Sequence, residues 1–333
     1  MALQRKIRAF DLFCGGGGSS LGAKQAGAVP VGGVDLWPIA TDAYSINLRD
    51  AKTYTNDLND LEPSRIANDI GPIDLLLASP ECTHHSIAKG NKPRSEDSKQ
   101  LAYQVIGFAK SLEPRWIVVE NVIQMRTWPS YADWLEQLEQ LGYKTIAPVL
   151  EAADFGVAQT RRRLFVICDR ERTPTLPRPY RRKDATVDWV LRTARPGDWS
   201  YAFTPLDNGR RADMTIQRAD RAIQAVGEDK EFIMVYYGSD AAGGFQTLDR
   251  PLRTITTLDR FALVKPNCVG HEMRMLQPAE LSIAMGFPSN YRFPDSATRR
   301  DCVKLLGNAV CPPVMRAIVK ALLKPQPSVR HVS

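Results

Sequence analysis

Over its first 170 residues the sequence alternates short apolar runs with longer amphipathic ones. That alternation limits the fold more than any other feature. KIRAFDLF, VPVGGVDL, IDLLLAS, RWIVVENV and RRRLFVIC read as strands. Between them, CGGGGSSLGAKQAG reads as a glycine turn entering a helix, and PIATDAYSINL, SKQLAYQVIGFAKSL and YADWLEQLEQLG as further helices. Strands separated by helices need crossover connections. The expected fold class is therefore α/β, a doubly wound and mostly parallel sheet with helices on both faces. Ligands of such sheets lie beyond the carboxyl ends of the strands. Asp35, Cys82 and the pair Glu120-Asn121 all fall at predicted strand ends.

The alternation fails after about residue 170, where ERTPTLPRPYRRKD is rich in Pro and Arg and reads as a linker. Periodicity then stays weak, and the most strand-like piece is FIMVYYG, 232–238. PAELSIAMGF and DCVKLLGNAVCPPVMRAIVKALL read as helical, and KPQPSVRHVS as a loose tail. The expected division is 1–170, a smaller domain over 171–270, and helices over 271–333 that return to the first. With 333 residues, 44% hydrophobic and 24% charged, the chain can bury a substantial core. No run approaches the roughly 18 apolar residues of a membrane span, and the N-terminus lacks the apolar core of a signal peptide. Six scattered cysteines without a C-x-x-C pair read as reduced thiols in a cytoplasmic protein. A net charge of +7 permits a polyanionic partner.

Three stretches carry candidate chemistry. AFDLFCGGGGSSLG runs from strand through glycines into helix, which lets backbone approach a cofactor closely. The dinucleotide fingerprint G-x-G-x-x-G is absent: counted from Gly15 its last position is Ser20, and from Gly16 it is Leu21. With Asp35 ending the next strand as an acceptor for ribose hydroxyls, a nucleoside cofactor without a required pyrophosphate fits better, S-adenosylmethionine being the obvious case. SPECTHHS admits a metal site on Cys82, His84 and His85, a solvent loop with an inert cysteine, or a nucleophilic thiolate. Adjacent histidines in one short loop seldom converge on a metal, and no second ligand cluster follows, so the expectation is no metal. VVENV puts an acid and an amide at a buried strand end, where a carboxyl tends toward its neutral form and can act as a general acid; a turn or helix cap is the alternative. In QTRRR, strand alternation would put Arg161 and Arg163 on one face and Arg162 on the other; a solvated basic face is again the alternative.

The order of these stretches is more specific than any one of them. A glycine loop, an acidic strand end, a Cys loop, Glu-Asn-Val, Gln-x-Arg-x-Arg, a variable region and LLGNAV together resemble the DNA (cytosine-5-)-methyltransferase family, in its bacterial or phage form. DLFCGGGG, RPLRTITT at 250–257 and RMLQPAELSIAMGFP are further matches, spread over residues 6–170 and 250–320. The resemblance implies methyl transfer from S-adenosylmethionine to C5 of a cytosine flipped out of duplex DNA, with Cys82 as the nucleophile that adds to C6. It implies Glu120 as the acid at N3, Arg163 at the O2 side of the ring, and Arg161 with Gln159 organising the loop and nearby phosphates. For the cofactor it implies Phe13, Gly15, Gly17, Asp35, Leu36, Asp57, Leu58, Asn308 and Val310, with Phe13 and Leu36 or Trp37 flanking the adenine and Asp57 reading its amino group. It makes 171–270 a target-recognition domain and implies a monomer acting in the bacterial cytoplasm or nucleoid, within restriction–modification. Rival readings are a transfer-RNA methylating relative and a catalytically impaired DNA-binding relative. One departure stands out: the family loop usually reads Pro-Pro-Cys-Gln, and here Pro80-Glu81-Cys82-Thr83 places a carboxylate beside the thiol, which disfavours the thiolate.

Overall fold

The computed structural model describes residues 6–80, 97–194, 202–237 and 244–324. They form two compact units, one built from 1–150, 162–179 and 312–333, the other from 151–161 and 180–311.

The first unit opens with β1 (Arg8–Leu12), α1 (Gly18–Gln25), β2 (Val29–Asp35), α2 (Pro38–Asn47), β3 (Lys52–Thr55), α3 (Pro63–Ile70) and β4 (Leu75–Ala78). It continues through α4 (Asp97–Leu112), β5 (Trp116–Asn121), α5 (Tyr131–Gln140), β6 (Lys144–Ile146), β7 (Val149–Glu151) and β8 (Arg162–Asp169). The sheet order is β3-β2-β1-β4-β5-β8-β6, with β7 also pairing β8. β1 to β5 are mutually parallel, as crossover helices require, whereas β8 runs antiparallel to both β5 and β6. β4 and β5 are buried along their whole length, which explains why LLLA and WIVV carry no polar alternation. One face of the sheet, through Phe10, Leu12, Leu76, Ile117, Val119, Leu164 and Val166, packs against Val105, Phe108, Trp134 and Leu138 of α4 and α5.

α1 packs on β1 and against the last helix of the chain. A Cβ on Gly22 would stand 2.4 Å from the Pro312 carbonyl and 2.7 Å from the Met315 Cβ, so only glycine permits this approach. The C-terminal apolar stretch is two helices rather than one: α9 (Arg299–Asn308) ends before Ala309–Cys311, and α10 (Pro312–Leu323) restarts at a proline pair that has no N–H to continue the earlier helix. By composition Arg299–Leu323 is long and apolar enough to cross a bilayer, yet 72% of its apolar window is buried inside the protein. The tail 325–333 lies outside the described residues.

The second unit contains α6 (Val187–Thr193), β9 (Thr204–Pro205), α7 (Asp213–Val226), β10 (Phe232–Val235), β11 (Phe245–Gln246), β12 (Phe261–Asn267), β13 (Gly270–Met275), α8 (Pro278–Ala284) and α9. Its sheet is antiparallel in the order β11-β10-β12-β13-β9. Phe232, Met234, Ala262, Val264 and Met273 make the face on which Ala219 and Ala222 of α7 pack. The weakly periodic middle region thus holds regular structure of which only β10 was apparent beforehand. The Pro- and Arg-rich stretch 171–184 has no regular structure.

Candidate active site

The end of β1 is bent by three left-handed residues at alternate positions: Phe13 at φ 55°, Gly15 at 50° and Gly17 at 86°. A phenylalanine there is uncommon and costs about 1–2 kcal/mol. The loop is held by backbone bonds from Cys14 N to Val34 O and from Gly17 N to Cys14 O, each 2.9 Å. Asp35, at the end of β2, accepts from Gly15 N and from Trp37 N, both at 2.9 Å and one on each oxygen. The two glycines serve different ends. A Cβ on Gly17 would lie 3.1 Å from Leu48 and 3.3 Å from Tyr44, whereas one on Gly15 would meet nothing within 4 Å. Open space therefore borders the loop at Gly15.

Leu36 exposes 66% of its surface, an apolar side chain left outside the core beside the Asp35 carboxylate. Asp57 accepts from Asn59 N at 2.9 Å and starts a short 3-10 turn over Leu58–Asp60. Leu58 is 5% exposed and sits with its side chain in the core. A ringed, partly apolar nucleoside fits this set: an apolar surface at Leu36, a carboxylate at the strand end in Asp35, and room over Gly15.

Sequence reasoning passed over the polar group beneath the loop. Asp11 is fully buried in β1. Its Oδ2 lies 2.8 Å from Ser20 Oγ, which lies 2.8 Å from Tyr44 Oη, which donates to Gly32 O at 3.1 Å. Burial pushes the Asp11 carboxyl up to about 7, and burial together with Asp11 and Asp35 pushes the Cys14 thiol well up. The signal was a charged residue inside an otherwise apolar strand.

At the end of β5, Glu120 is 6% exposed. The antiparallel register sets Glu120 opposite Phe165 and Asn121 opposite Leu164, so Arg163 arrives as a diagonal neighbour. Its Nε lies 3.2 Å from Glu120 Oε1. Asn121 accepts from Val122 N at 2.7 Å and donates through Nδ2 to Pro80 O at 3.3 Å, so it reaches the end of β4. Ser79 donates its backbone N–H to Leu12 O at 3.2 Å and its hydroxyl to Phe13 O at 3.0 Å. Cys82 itself, with Glu81, His84 and His85, lies outside the described residues. Among the described residues no group of three or more His, Cys, Asp or Glu is placed to hold a metal ion.

Arg161 differs from the expectation. β8 begins at Arg162, so strand alternation does not extend to Arg161 and the two arginines do not share a sheet face. Arg161 belongs to the second unit and is 3% exposed. Its guanidinium donates to Ile255 O at 3.0 Å, Gly307 O at 2.8 Å and Ala309 O at 3.1 Å. Gln159, fully buried, accepts from Ile255 N at 2.7 Å. A Cβ on Gly307 would stand 2.4 Å from the backbone of Thr256. The QTRRR, RPLRTITT and GNAV stretches thus meet backbone to side chain, and Arg161 holds carbonyls rather than phosphates. Asn308 ends α9 with its side chain exposed, and Val310 is 3% exposed.

The profile of the C-5 cytosine-specific DNA methylases matches residues 7–324. The type II methyltransferase M1.HphI of Haemophilus parahaemolyticus is 29% identical over 94% of this chain and 86% of its own length. Among solved structures, a DNA modification methyltransferase encoded within an Escherichia coli prophage superposes with a TM-score of 0.66 at 19% identity, covering 95% of this chain and 98% of that one. DNMT2 of Spodoptera frugiperda gives 0.65 at 18% identity, covering 96% and 100%; at such identities these two likenesses speak for the fold alone. With the family profile spanning nearly the whole sequence, the chain belongs to the C-5 cytosine-specific DNA methylases, which transfer methyl from S-adenosylmethionine to cytosine C5 in DNA.

Proposed function

We propose that Cys82 is the nucleophile, Glu120 the acid and Arg163 the clamp of this reaction, acting on a cytosine flipped out of duplex DNA. The observation that carries the reading is the Glu120–Arg163 pair at 3.2 Å across the ends of β5 and β8, beside the Asn121 amide that reaches Pro80. C5 of cytosine is a poor nucleophile. Addition of the Cys82 thiolate to C6 makes it a good one, because the electrons displaced by the new C–S bond accumulate at C5 and N3. Glu120 holds a proton at N3 and so stabilises the adduct. Arg163 keeps that carboxyl in place through Nε and turns its remaining donors to O2. The cofactor supplies an electrophilic methyl on a sulfonium. Loss of the C5 proton then lets the C–S bond break and frees Cys82.

Phe13 and Leu36 flank the adenine, Asp35 takes the ribose hydroxyls, Asp57 reads the amino group with Leu58 backing it, and Gly15 and Gly17 keep side chains out of the way. For Asn308 and Val310 the assignment rests on the GNAV signature alone. Residues 171–270 read the target sequence. The protein works as a monomer on duplex DNA in the bacterial cytoplasm, in the restriction–modification setting of its type II relatives.

The test is a mechanism-based trap. A 5-fluorocytosine cannot lose its C5 substituent as a proton, so the adduct stalls with the ring bonded to Cys82. A pool of randomised fluorinated duplexes should give a denaturation-resistant complex that requires S-adenosylmethionine and vanishes in Cys82→Ala. Trapping of fluorinated transfer RNA instead of DNA, or adduct formation without Cys82, refutes the reading.

A further inference from the structure

Ser79 is the last residue but one before the undescribed segment that carries Cys82. It sits where two loops meet. Its backbone N–H takes the Leu12 carbonyl and its hydroxyl takes the next carbonyl, Phe13's. A single residue at the end of β4 therefore grips two consecutive carbonyls at the end of β1. The second grip needs a side chain, because the β1–β4 pairing stops at Leu12 opposite Ala78. Phe13 is a non-glycine residue held at φ 55°. Such a conformation persists only where the surroundings over-determine it. Three bonds do so: Cys14 N to Val34 O, Gly15 N to Asp35, and Ser79 Oγ to Phe13 O. On the other side, Asn121 fixes the carbonyl of Pro80. Hydrogen bonds thus run without a gap from Asp35 through the glycine loop and Ser79 to the two residues that precede Glu81 and Cys82.

We infer that Ser79 is a positioning residue for methyl transfer, whose hydroxyl sets the glycine loop and the base of the Cys82 segment in one fixed relation. This rests on the reading of Cys82 as nucleophile and of the glycine loop as the cofactor site. Without the hydroxyl, Phe13 loses one of the three bonds that hold its left-handed conformation, and the side-chain bond between the two loops is lost. Displacement of reacting groups by about 1 Å costs on the order of a hundredfold in rate. Cofactor binding and the chemical step should therefore both suffer, which a residue serving only the stability of the fold would not produce.

The experiment uses the full chain, unmodified bacterial genomic DNA and tritiated S-adenosylmethionine. In Ser79→Ala, KM for the cofactor should rise about fivefold and the single-turnover rate at saturating cofactor should fall about tenfold. Ser79→Thr, which keeps the hydroxyl, should recover both to within about twofold. Should the alanine variant fail to fold, Ser79→Cys, similar in size with a weaker donor, carries the same test and should fall between the two. Unchanged constants, a change in only one of them, or a threonine variant as impaired as alanine overturns the inference. Cys82→Ala is run alongside. If it retains transfer, the underlying reading fails; if it is dead while Ser79→Ala behaves as wild type, only the positioning role fails.

Discussion

The two units place their polar groups by opposite means. In the first, Asp35, Ser79, Glu120 and Asn121 stand at the ends of buried strands, and their partners are mostly neighbours across the sheet. In the second, Arg161 collects carbonyls from residues 94, 146 and 148 positions further along the chain. The sheet of the first unit is secured by apolar packing, so the groups at its edge are free to do chemistry. In the second unit the polar side chains are part of what holds the backbone together. A charged residue at a strand end and one buried among carbonyls should therefore fail in different ways when changed.

Glu120→Gln should produce the largest effect and confine it to rate. The shape is kept and the proton is lost, so single-turnover methylation should drop by about 10²–10⁴, while the melting temperature moves by no more than a few degrees. A variant that is both slow and much less stable would erase the distinction between the units. Arg161→Met should do the reverse. Its removal strands three buried carbonyls, and unfolding in urea should show a loss of about 3–5 kcal/mol. Arg161→Lys should recover only part of this, since one ammonium cannot span the same acceptors as a planar guanidinium. Arg163→Met, two positions away in the first unit and partly exposed, loses an ion pair with a Glu120 carboxylate that can take up a proton instead, and should cost less than Arg161→Met in the same experiment. Equal losses at the two arginines would break the comparison.

A pH-dependent effect sharpens it, because Asp11 is a polar group buried inside the first unit. Its folded value near 7 lies above the ordinary 3.8. The folded state therefore keeps a proton that the unfolded chain gives up, and stability is lost as pH rises from about 4 to about 7 and then levels off. Asp11→Asn should flatten that slope and gain on the wild type across the window by a few degrees in melting temperature. Parallel stability curves for the two proteins from pH 4 to 8 would mean that Asp11 carries no extra proton.

The same contrast explains what the sequence disclosed. The long strands and helices of the first unit were legible because apolar period and glycine or proline punctuation coincide there. β3, β6 and β7 were not, being three or four residues long with little burial. α7 went unread because its buried positions include alanines, Ala219 and Ala222, between charged residues. β12 carries Pro266, which argues against a central strand. Of the candidate site, the order of motifs was readable, and Asp35, Glu120 and Asn121 lie at strand ends, while Cys82 is outside the described residues. The fate of Arg161 was not, since nothing in QTRRR indicates that its guanidinium will meet Gly307 and Ala309. Ser79 and Asp11 were visible as letters, and only tertiary contacts give them partners.

The close approach of α1 to α10 has a bearing on how the protein is made. Gly22 leaves the ribosome about 290 residues before the Pro312 carbonyl that it touches. Until then α1, whose N-cap Gly17 ends the glycine loop, lacks the helix it packs against. Nascent chains stalled or truncated ahead of α10 should be poor at retaining the cofactor, and a fragment ending at the last residue of β8 should need α10 supplied as a separate peptide to do so. Cofactor retention should therefore appear only once α10 has been delivered.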